Sequence, residues 1–282
     1  MNGFQSSIDD TIEDDARPLS RGLMGSRAGG SFSMARSGKF GAWARMGSGA
    51  SAAVWLLQSA PGGANEAPIH FTTEDLPPYV RLEHNRVTGM AADVVHCVMA
   101  QLDRPYEITV LPWARAQAHV REGSADAFFP GSRSVQRDDY AVWSVPIAPQ
   151  NWAFYLNADS PLDPLQPEFK QAATVTSYVG ANMLDYLKAE GYRAVQGPSG
   201  YKSMMSMLLG GRLDAVLANS LAMDLSIREA GVQGKLRSVL LRSEPLGIYF
   251  AKRFLAGAPG ILDKFNAAIP GCRVSQPEDL VN

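Results

Sequence analysis

Residues 123–129, Gly-Ser-Ala-Asp-Ala-Phe-Phe, and residues 211–217, Gly-Arg-Leu-Asp-Ala-Val-Leu, are two copies of one pattern. The copies begin 88 positions apart (211 − 123), and the residues before them match in the same register, for example Trp113 with Tyr201. Each copy predicts the end of an amphipathic helix, a glycine that stops it and a short buried strand. A unit used twice, far apart in the chain, predicts two similar lobes with a cleft between them.

Strand and helix patterns alternate around both copies. A strand, a helix and a second strand in that order form a right-handed crossover in a parallel sheet. We therefore predict an α/β fold in which each lobe is a mostly parallel sheet with flanking helices. Ligands of such sheets bind at the carboxyl ends of the strands, where loops and helix N-termini meet. The predicted strands are 69–72, 106–111, 126–129, 173–175, 194–195, 214–218, 238–241 and 247–251, and the predicted helices are 92–102, 113–122, 181–190, 201–209 and 261–268.

The composition is that of a globular protein large enough for two domains. The chain has 282 residues, of which 46% are hydrophobic and 19% charged. A net charge of -2, with no basic run interleaved with aromatics, gives no electrostatic case for nucleic acid, and we predict none as a partner. The two cysteines are too few for a disulfide framework or a zinc site, and Cys97, inside an apolar helix, predicts a buried thiol. We predict no metal and no cofactor.

Residues 1–64 differ in composition from the rest and resemble a targeting segment. Three basic residues within 36–45 precede an apolar stretch at 50–60 that is too short to span a bilayer. Small residues follow, ending at Ala64. We predict a disordered extension and a signal peptide cleaved near Ala64, with translation starting at Met34, and hence a periplasmic protein. The alternative is a disordered extension with no targeting role.

Residues 132–137, Ser-Arg-Ser-Val-Gln-Arg, followed by Tyr140 and Trp143, carry a family resemblance. Here the chain resembles the bacterial extracellular solute-binding proteins of the polar amino acid type, the two-lobed periplasmic receptors of ABC importers. The similarity extends over about residues 69–268. Further matching pieces are Pro-Pro-Tyr at 77–79, Gly-Met-Ala-Ala-Asp at 89–93, the two repeated motifs and Glu-Pro-Leu-Gly-Ile-Tyr at 244–249.

The resemblance implies a periplasmic-binding-protein-like fold of type II in which the chain crosses twice between the lobes. Lobe one would contain residues 67–148 plus 246–282, and lobe two residues 149–245. The crossings would lie near 149–152 and 243–247. The implied partners are a small carboxylate-bearing ligand and an ABC permease in the inner membrane, and the implied oligomeric state is a monomer.

The resemblance also implies a carboxylate clamp at Arg137. A guanidinium offers two parallel donors that match a carboxylate, which lysine does not. The alternative is a surface arginine paired with Asp138 or Asp139. Ser132 matches a small hydroxyl residue that binds the same carboxylate, or is an ordinary turn serine. Trp113 matches a wall position over the ligand side chain, where an aromatic ring can stack on a planar or cationic group, or it is a core residue.

Four further positions are predicted contacts. Arg115 supplies a second cationic contact or a surface salt bridge. Tyr79 lies in the cleft wall or uses its hydroxyl to cap a loop. Ser177 and Tyr178, with Gly180, stand where the family places an anion-binding loop of glycine and threonine, although a serine replaces the usual glycine.

At Asn219 the chain departs from the family. Amino acid receptors of this type hold the ligand ammonium with an acid five residues after the motif aspartate, here Asp214, and the residue at that position is Asn219. An amide oxygen accepts a hydrogen bond but brings no charge. Either Glu74 or Asp75 supplies the missing charge from the other lobe, or the ligand is an anion without an ammonium group.

Three functions follow as hypotheses. The first is a periplasmic substrate-binding protein that captures a small, amino-acid-like carboxylate for an ABC importer by lobe closure. The second is an enzyme of the same fold, resembling cyclohexadienyl or arogenate dehydratases, with Glu74 as the general acid or base. The four histidines form no metal spacing or triad, so no other catalytic group is predicted. The third is a ligand-sensing module.

Overall fold

A computed structural model describes residues 66–273, and the predicted extension and signal peptide lie outside them. Within 66–273 no helix is both long and apolar enough to cross a bilayer. The elements in chain order are β1 (Ile69–Thr73), β2 (Arg81–Glu83), β3 (Arg86–Thr88), α1 (Met90–Gln101), β4 (Tyr106–Val110), α2 (Trp113–Glu122), β5 (Ala127–Ser132), α3 (Val135–Asp138), β6 (Ala141–Trp143), β7 (Asn151–Asn157), α4 (Phe169–Ala172), β8 (Thr174–Thr176), α5 (Asn182–Ala189), β9 (Arg193–Ala194), α6 (Tyr201–Leu209), β10 (Ala215–Asn219), α7 (Ser220–Glu229), β11 (Leu236–Ser243), β12 (Leu246–Ala251), α8 (Lys252–Gly257) and α9 (Ile261–Cys272).

Ten of the twelve strands within residues 66–273 form two five-stranded sheets, one in each lobe, and this confirms the predicted two-lobed α/β fold. Strands β2 and β3 form a separate antiparallel pair. The first sheet has the order β4-β1-β5-β12-β6 and the second has the order β11-β7-β10-β8-β9. The chain passes to the second sheet between Trp143 and Asn151 and returns between Ser243 and Leu246. These are the two expected crossings.

Both sheets are mixed, and the parallel pairs are those around the repeated motif. Strand β1 pairs in parallel with β4 and β5, and β8 pairs in parallel with β9 and β10. Strands β12 and β7 pair antiparallel with β5 and β10. Both antiparallel strands directly follow a crossing. Strand β12 therefore starts beside the last residue of β5, and β7 starts beside the last residue of β10. They can therefore only run in the opposite direction.

The aspartate of each motif copy has the same structural task. The backbone N–H of His70, in β1, donates to Asp126 Oδ2 at 3.0 Å, and that of Thr174, in β8, donates to Asp214 Oδ2 at 2.7 Å. In both lobes the carboxylate thus accepts from the N–H at the start of the neighbouring parallel strand. Gly123, the first residue of the first copy, ends α2 in the left-handed region at φ 107, which a residue with a side chain rarely adopts.

Each sheet is buried on both faces, which explains why its central strands are continuous apolar runs. Along β10, Ala215 and Leu217 pack into one hydrophobic cluster and Val216 and Ala218 into another. In lobe one, Phe71 of β1 lies edge-on to Phe129 and Phe250 with ring centroids 6.1 and 6.0 Å apart. Each lobe therefore has its own core.

The two crossings lie side by side and are hydrogen-bonded to each other. The N–H of Leu246 donates to the carbonyl of Ala148 at 2.9 Å, and the N–H of Glu244 donates to the carbonyl of Gln150 at 2.8 Å. A paired two-stranded connection of this kind is the natural place for a hinge between the lobes.

A disulfide joins Cys97 of α1 to Cys272 of α9, so the predicted buried thiol at Cys97 is wrong. The two cysteines are 175 residues apart in sequence but their Cα atoms are 5.6 Å apart. Only the packing of α9 against α1 brings them together, and the spacing of two cysteines in a sequence carries no such information.

Every helix and strand predicted around the motif copies is present, with ends displaced by a few residues. Two long elements were missed, strand β7 and helix α7. Strand β7 is an apolar run beside the first crossing and belongs to neither repeat. Helix α7 begins immediately after Asn219, whose side chain accepts the N–H of Ala222 and so caps the helix.

Candidate ligand site

A small cavity lies between the lobes, where β1, β5 and β8 end. Its volume is about 30 Å³ in this conformation, enough for roughly two water molecules. Lobe one contributes Glu74, Trp113, Ser132 and Arg137 to its lining, and lobe two contributes Tyr178, Asn182, Met183 and Tyr201. The lobes are therefore closed around this space.

Arg137, in the short helix α3, is the cation of the cavity and is only 4% exposed. Its Nε donates to Gln117 Oε1 at 2.8 Å, one Nη to the Ser132 carbonyl at 2.8 Å and the other to the Gly180 carbonyl at 3.4 Å. These bonds use three of the five guanidinium N–H groups, which leaves two for another acceptor. The guanidinium carbon lies 5.3 Å from the ring centre of Trp113.

Burial lowers the pKa of Arg137 from its ordinary value, yet a guanidinium stays protonated at neutral pH. The alternative of a surface ion pair with Asp138 or Asp139 is not what the structure shows. Among residues 66–273, Asp138 pairs with the exposed Arg133 at 3.4 Å, and Arg137 forms no ion pair. Its charge is thus available inside the cavity.

The N-terminus of α5 lies on the lobe-two side of the cavity, with Ala181, Asn182 and Met183 in the lining. Ala181 precedes the helix and offers no side-chain cap. The first N–H groups of a helix have no partner within it, and the helix dipole adds a partial positive charge there. Ser132, at the end of β5, donates its hydroxyl to Asn182 Oδ1 at 3.1 Å. Arg137 and a helix N-terminus thus line one cavity from opposite lobes, which is the arrangement of an anion site.

Glu74, directly after β1, is the carboxyl group of the cavity and is 6% exposed. The hydroxyl of Tyr178, from lobe two, donates to its Oε2 at 2.5 Å. Burial raises the pKa of Glu74 to about 8, although the bond from Tyr178 and the charge of Arg137 act in the opposite direction. Glu74 is therefore mainly protonated and neutral at pH 7.

Residues 178–182 make the polar contacts that join the lobes at the cavity. Besides the bonds of Tyr178 and Arg137, the Nε2 of Gln117 donates to the Gly180 carbonyl at 3.1 Å. Asn182 Nδ2 donates to the Arg133 carbonyl at 3.0 Å. Gly180 has φ 78, and a Cβ there would lie 3.2 Å from that of Ala114, so a glycine is needed for this close approach.

No protein-family model matches the sequence, and no curated protein matches it in sequence. Solved structures do match the fold. The fold is that of the two-lobed periplasmic binding proteins. A histidine kinase sensor domain with similarity to periplasmic binding proteins aligns with a TM-score of 0.65 and 19% identity, over 74% of this chain and 91% of its own. The arginine-, lysine-, histidine-binding protein ArtJ from Geobacillus stearothermophilus gives 0.62 and 17%, over 73% and 89%. Holo ArgBP from T. maritima gives 0.61 and 18%, over 76% and 93%. At such identities the shared property is the fold.

The cavity brings together five of the predicted contacts, Glu74, Trp113, Ser132, Arg137 and Tyr178. It does not bring Asn219 there, and this expectation has to be corrected. Asn219 is fully buried, and its Oδ1 accepts the N–H of Ala222 at 3.3 Å as the N-cap of α7. The Tyr79 hydroxyl lies 3.2 Å from the same oxygen and 2.9 Å from the carbonyl of Pro149. Tyr79 is also fully buried, so its hydroxyl supports the first crossing.

Ser177 and Arg115 also lie outside the lining. Ser177 is fully buried, and its hydroxyl donates to the carbonyl of Leu217 at 2.7 Å, which ties β8 to β10. Arg115 is exposed on α2. Neither side chain is placed to touch a ligand in the cavity, because one is used inside the fold and the other points to solvent.

The prediction missed Tyr201, Asn182 and Met183. For Tyr201 a signal was present, because the repeat aligns it with Trp113, and both line the cavity. The rings of Tyr201 and Tyr178 stack with centroids 5.8 Å apart. No sequence signal distinguishes Asn182, whose role depends on which helix N-terminus faces the other lobe.

Proposed function

We propose that the protein is a periplasmic substrate-binding protein that captures a small carboxylate-bearing solute between its lobes for an ABC importer. The observation that carries this proposal is the buried Arg137, which has two N–H groups without a partner among residues 66–273 and shares its cavity with the N-terminus of α5. A buried cation without a protein counter-ion is costly. A solute carboxylate would remove that cost by accepting from Arg137 and from the helix N–H groups together.

Lobe closure follows from the same contacts. The proposed solute would bind Arg137 and Ser132 of lobe one, with Trp113 as a wall, and would meet the 178–182 segment of lobe two when the lobes close. A ligand that contacts both lobes binds the closed form more tightly and therefore shifts the population toward it. The permease would then recognise the closed form.

The disulfide supports the proposed location. Disulfides persist in oxidising compartments such as the periplasm and are rare in the cytosol. The bond between Cys97 and Cys272 thus agrees with the proposal that residues 1–64 contain a signal peptide cleaved near Ala64. We propose a monomer with lobe one at 67–148 plus 246–282 and lobe two at 149–245.

Thermal-shift and calorimetric screening with amino acids, organic acids and small peptides tests the proposal. A ligand of the native state raises the melting temperature. Arg137→Ala should weaken the binding of any hit about 10- to 100-fold, the value of one charge-assisted hydrogen bond. Arg133→Ala is the matched control, since Arg133 lies four residues away and its side chain is 71% exposed. If Arg137→Ala binds every hit as tightly as Arg133→Ala does, the proposal fails.

Glu74 favours a second candidate function, an enzyme that acts on a small carboxylate. A protonated carboxyl with a pKa near 8, in a cavity beside an anion clamp, has the properties of a general acid. Such an enzyme would eliminate water from a bound acid, which is the reaction class of the cyclohexadienyl and arogenate dehydratases named above. Incubation with prephenate and arogenate tests this function. If wild type turns over either compound and Glu74→Gln does not, the protein is an enzyme. If wild type turns over neither compound, the substrate-binding function is the one that stands.

A further inference from the structure

The cavity holds one permanent charge. Within residues 66–273 its charged or ionisable lining groups other than tyrosine are Arg137 and Glu74. Arg137 stays cationic, and the N-terminus of α5 adds partial positive charge from the opposite lobe. Glu74 is held mainly in its neutral form by burial. The cavity as a whole is therefore positive and suits a ligand with one negative charge.

Each side-chain amide or carboxyl group of the cavity already accepts a hydrogen bond from a protein group. Asn182 Oδ1 accepts the hydroxyl of Ser132, and Gln150 Oε1 accepts the indole N–H of Trp152 at 3.1 Å. Glu74 Oε2 accepts the hydroxyl of Tyr178. An ammonium group carries three donors and needs acceptors, preferably charged ones. Bringing it into this cavity would place it near Arg137 with no free anionic partner.

Asn219 offers no alternative. Its oxygen already accepts the N–H of Ala222 and is close to the Tyr79 hydroxyl, and neither Asn219 nor Tyr79 lines the cavity. The rest of the lining is largely apolar or aromatic, and includes Leu76, Met183 and Leu246.

We infer that the solute is a carboxylic acid with an apolar or aromatic body and without an α-ammonium group. This inference rests on the proposed function and narrows its ligand class. The carboxylate would accept from Arg137 and from the first turn of α5, and the body would pack against Trp113, Met183 and Tyr201. An α-amino acid would have to ionise Glu74 to obtain a counter-charge. Removing a proton from a group with a pKa of about 8 costs roughly tenfold in affinity at pH 7.

Matched pairs that differ only in the ammonium group test the inference. The full chain is titrated calorimetrically with 3-phenylpropanoate against L-phenylalanine and with 4-methylpentanoate against L-leucine. At pH 7 the acid without the amine should bind at least tenfold more tightly than its amino acid partner in each pair that binds. If the amino acid of a pair binds more tightly, the inference is overturned while the proposed function stands. If no member of either pair binds, the inference is overturned, while the proposed function stands or falls with the broader screen. If Arg137→Ala binds as wild type does, both are overturned.

The pH dependence gives a second readout. The titratable and charged groups around Glu74 are Arg137 and Asp75 of lobe one and Tyr178 and Tyr201 of lobe two. As pH rises from 6 to 9, Glu74 ionises opposite the bound carboxylate, so the affinity of the acid should fall about tenfold. Glu74→Gln cannot ionise and should flatten this dependence. An affinity that rises with pH in the wild type would contradict the inference, because an ammonium ligand gains its counter-charge on the same titration.

Discussion

The two copies of the repeated motif build the same backbone but are followed by different chemistry. Both aspartates accept an N–H from the start of the neighbouring parallel strand. After the first copy, the chain turns through a four-residue helix that brings Arg137 beside Ser132 in the cavity. After the second copy a ten-residue helix starts at once, and Asn219 is used to cap it. A repeat can therefore be symmetric in its strands and asymmetric in its site, because the residue after a strand must first satisfy whatever element follows.

A second correspondence joins the lobes. Glu74 lies four residues after His70, and Tyr178 lies four residues after Thr174. His70 and Thr174 are the two residues whose N–H groups donate to the motif aspartates. The side chains of Glu74 and Tyr178 occupy equivalent positions in the two lobes and are hydrogen-bonded to each other across the cleft. The repeat thus places the groups in contact, while their chemical identities differ.

The largest expected difference between the lobes comes from a disulfide bond and concerns stability. Within the described part of the chain, only lobe one has a disulfide, between α1 and α9. Cys97→Ser with Cys272→Ser should lower the free energy of unfolding by about 2–5 kcal/mol, the usual cost of removing a native disulfide. Denaturant titration in oxidising buffer measures it. A double variant as stable as the parent would show that the packing of α9 on α1 suffices by itself.

The buried carboxyl of lobe one should make stability depend on pH. Glu74 keeps its proton up to a pKa of about 8 in the folded protein, whereas its usual value is 4.5. The stabilising effect of the bound proton is complete below pH 4.5 and is lost as pH rises to about 8, at about 1.4 kcal/mol per pH unit. Glu74→Gln should therefore unfold at a higher temperature than wild type at pH 9 and show much less of this advantage at pH 4.5. If the melting temperatures of wild type and Glu74→Gln change with pH in the same way from pH 4.5 to 9, this assignment of the Glu74 proton is wrong.

Two asparagines near helix N-termini provide a sharper comparison. Asn219→Ala removes the cap of α7 and should cost about 0.5–2 kcal/mol of stability. The loss should lie at the lower end, because the buried Asn219 Nδ2 has no partner within residues 66–273. The affinity for a solute should not change. Asn182→Ala, the counterpart that lines the cavity, should weaken solute binding severalfold. If Asn219→Ala weakens solute binding and Asn182→Ala does not, Asn219 belongs to the ligand site.

The smallest expected difference between the lobes tests the symmetric half of the comparison. Asp126→Ala and Asp214→Ala should each cost about 1 kcal/mol, the value of one partly exposed hydrogen bond to a strand. The two losses should be similar, since both carboxylates bind the same kind of N–H. Denaturant titration of the two single variants checks this. If only one of the two substitutions lowers the free energy of unfolding, the two aspartates are similar in sequence but do not have the same structural role.

Several features of the molecule could be predicted from the order of residues alone. The period of apolar residues and the glycine stops identify the helices and strands around each motif, because these patterns depend on near neighbours in the chain. The alignment of Trp113 with Tyr201 even identifies a wall residue of each lobe. The antiparallel strands β7 and β12 could not be oriented this way, since their direction depends on where the chain crosses between sheets.

The roles of polar side chains were decided by the tertiary structure. Asn219 and Ser177 carry the right atoms for a ligand site, but their oxygens bind backbone groups of the fold. Cys97 meets Cys272 only after the last helix docks. By itself the sequence determined two α/β lobes, because these follow from local patterns, and the family resemblance of residues 132–137 implied a cationic group at Arg137. Which groups share the cavity, and that Glu74 is neutral there, was decided only by burial and by contacts between residues far apart in the chain.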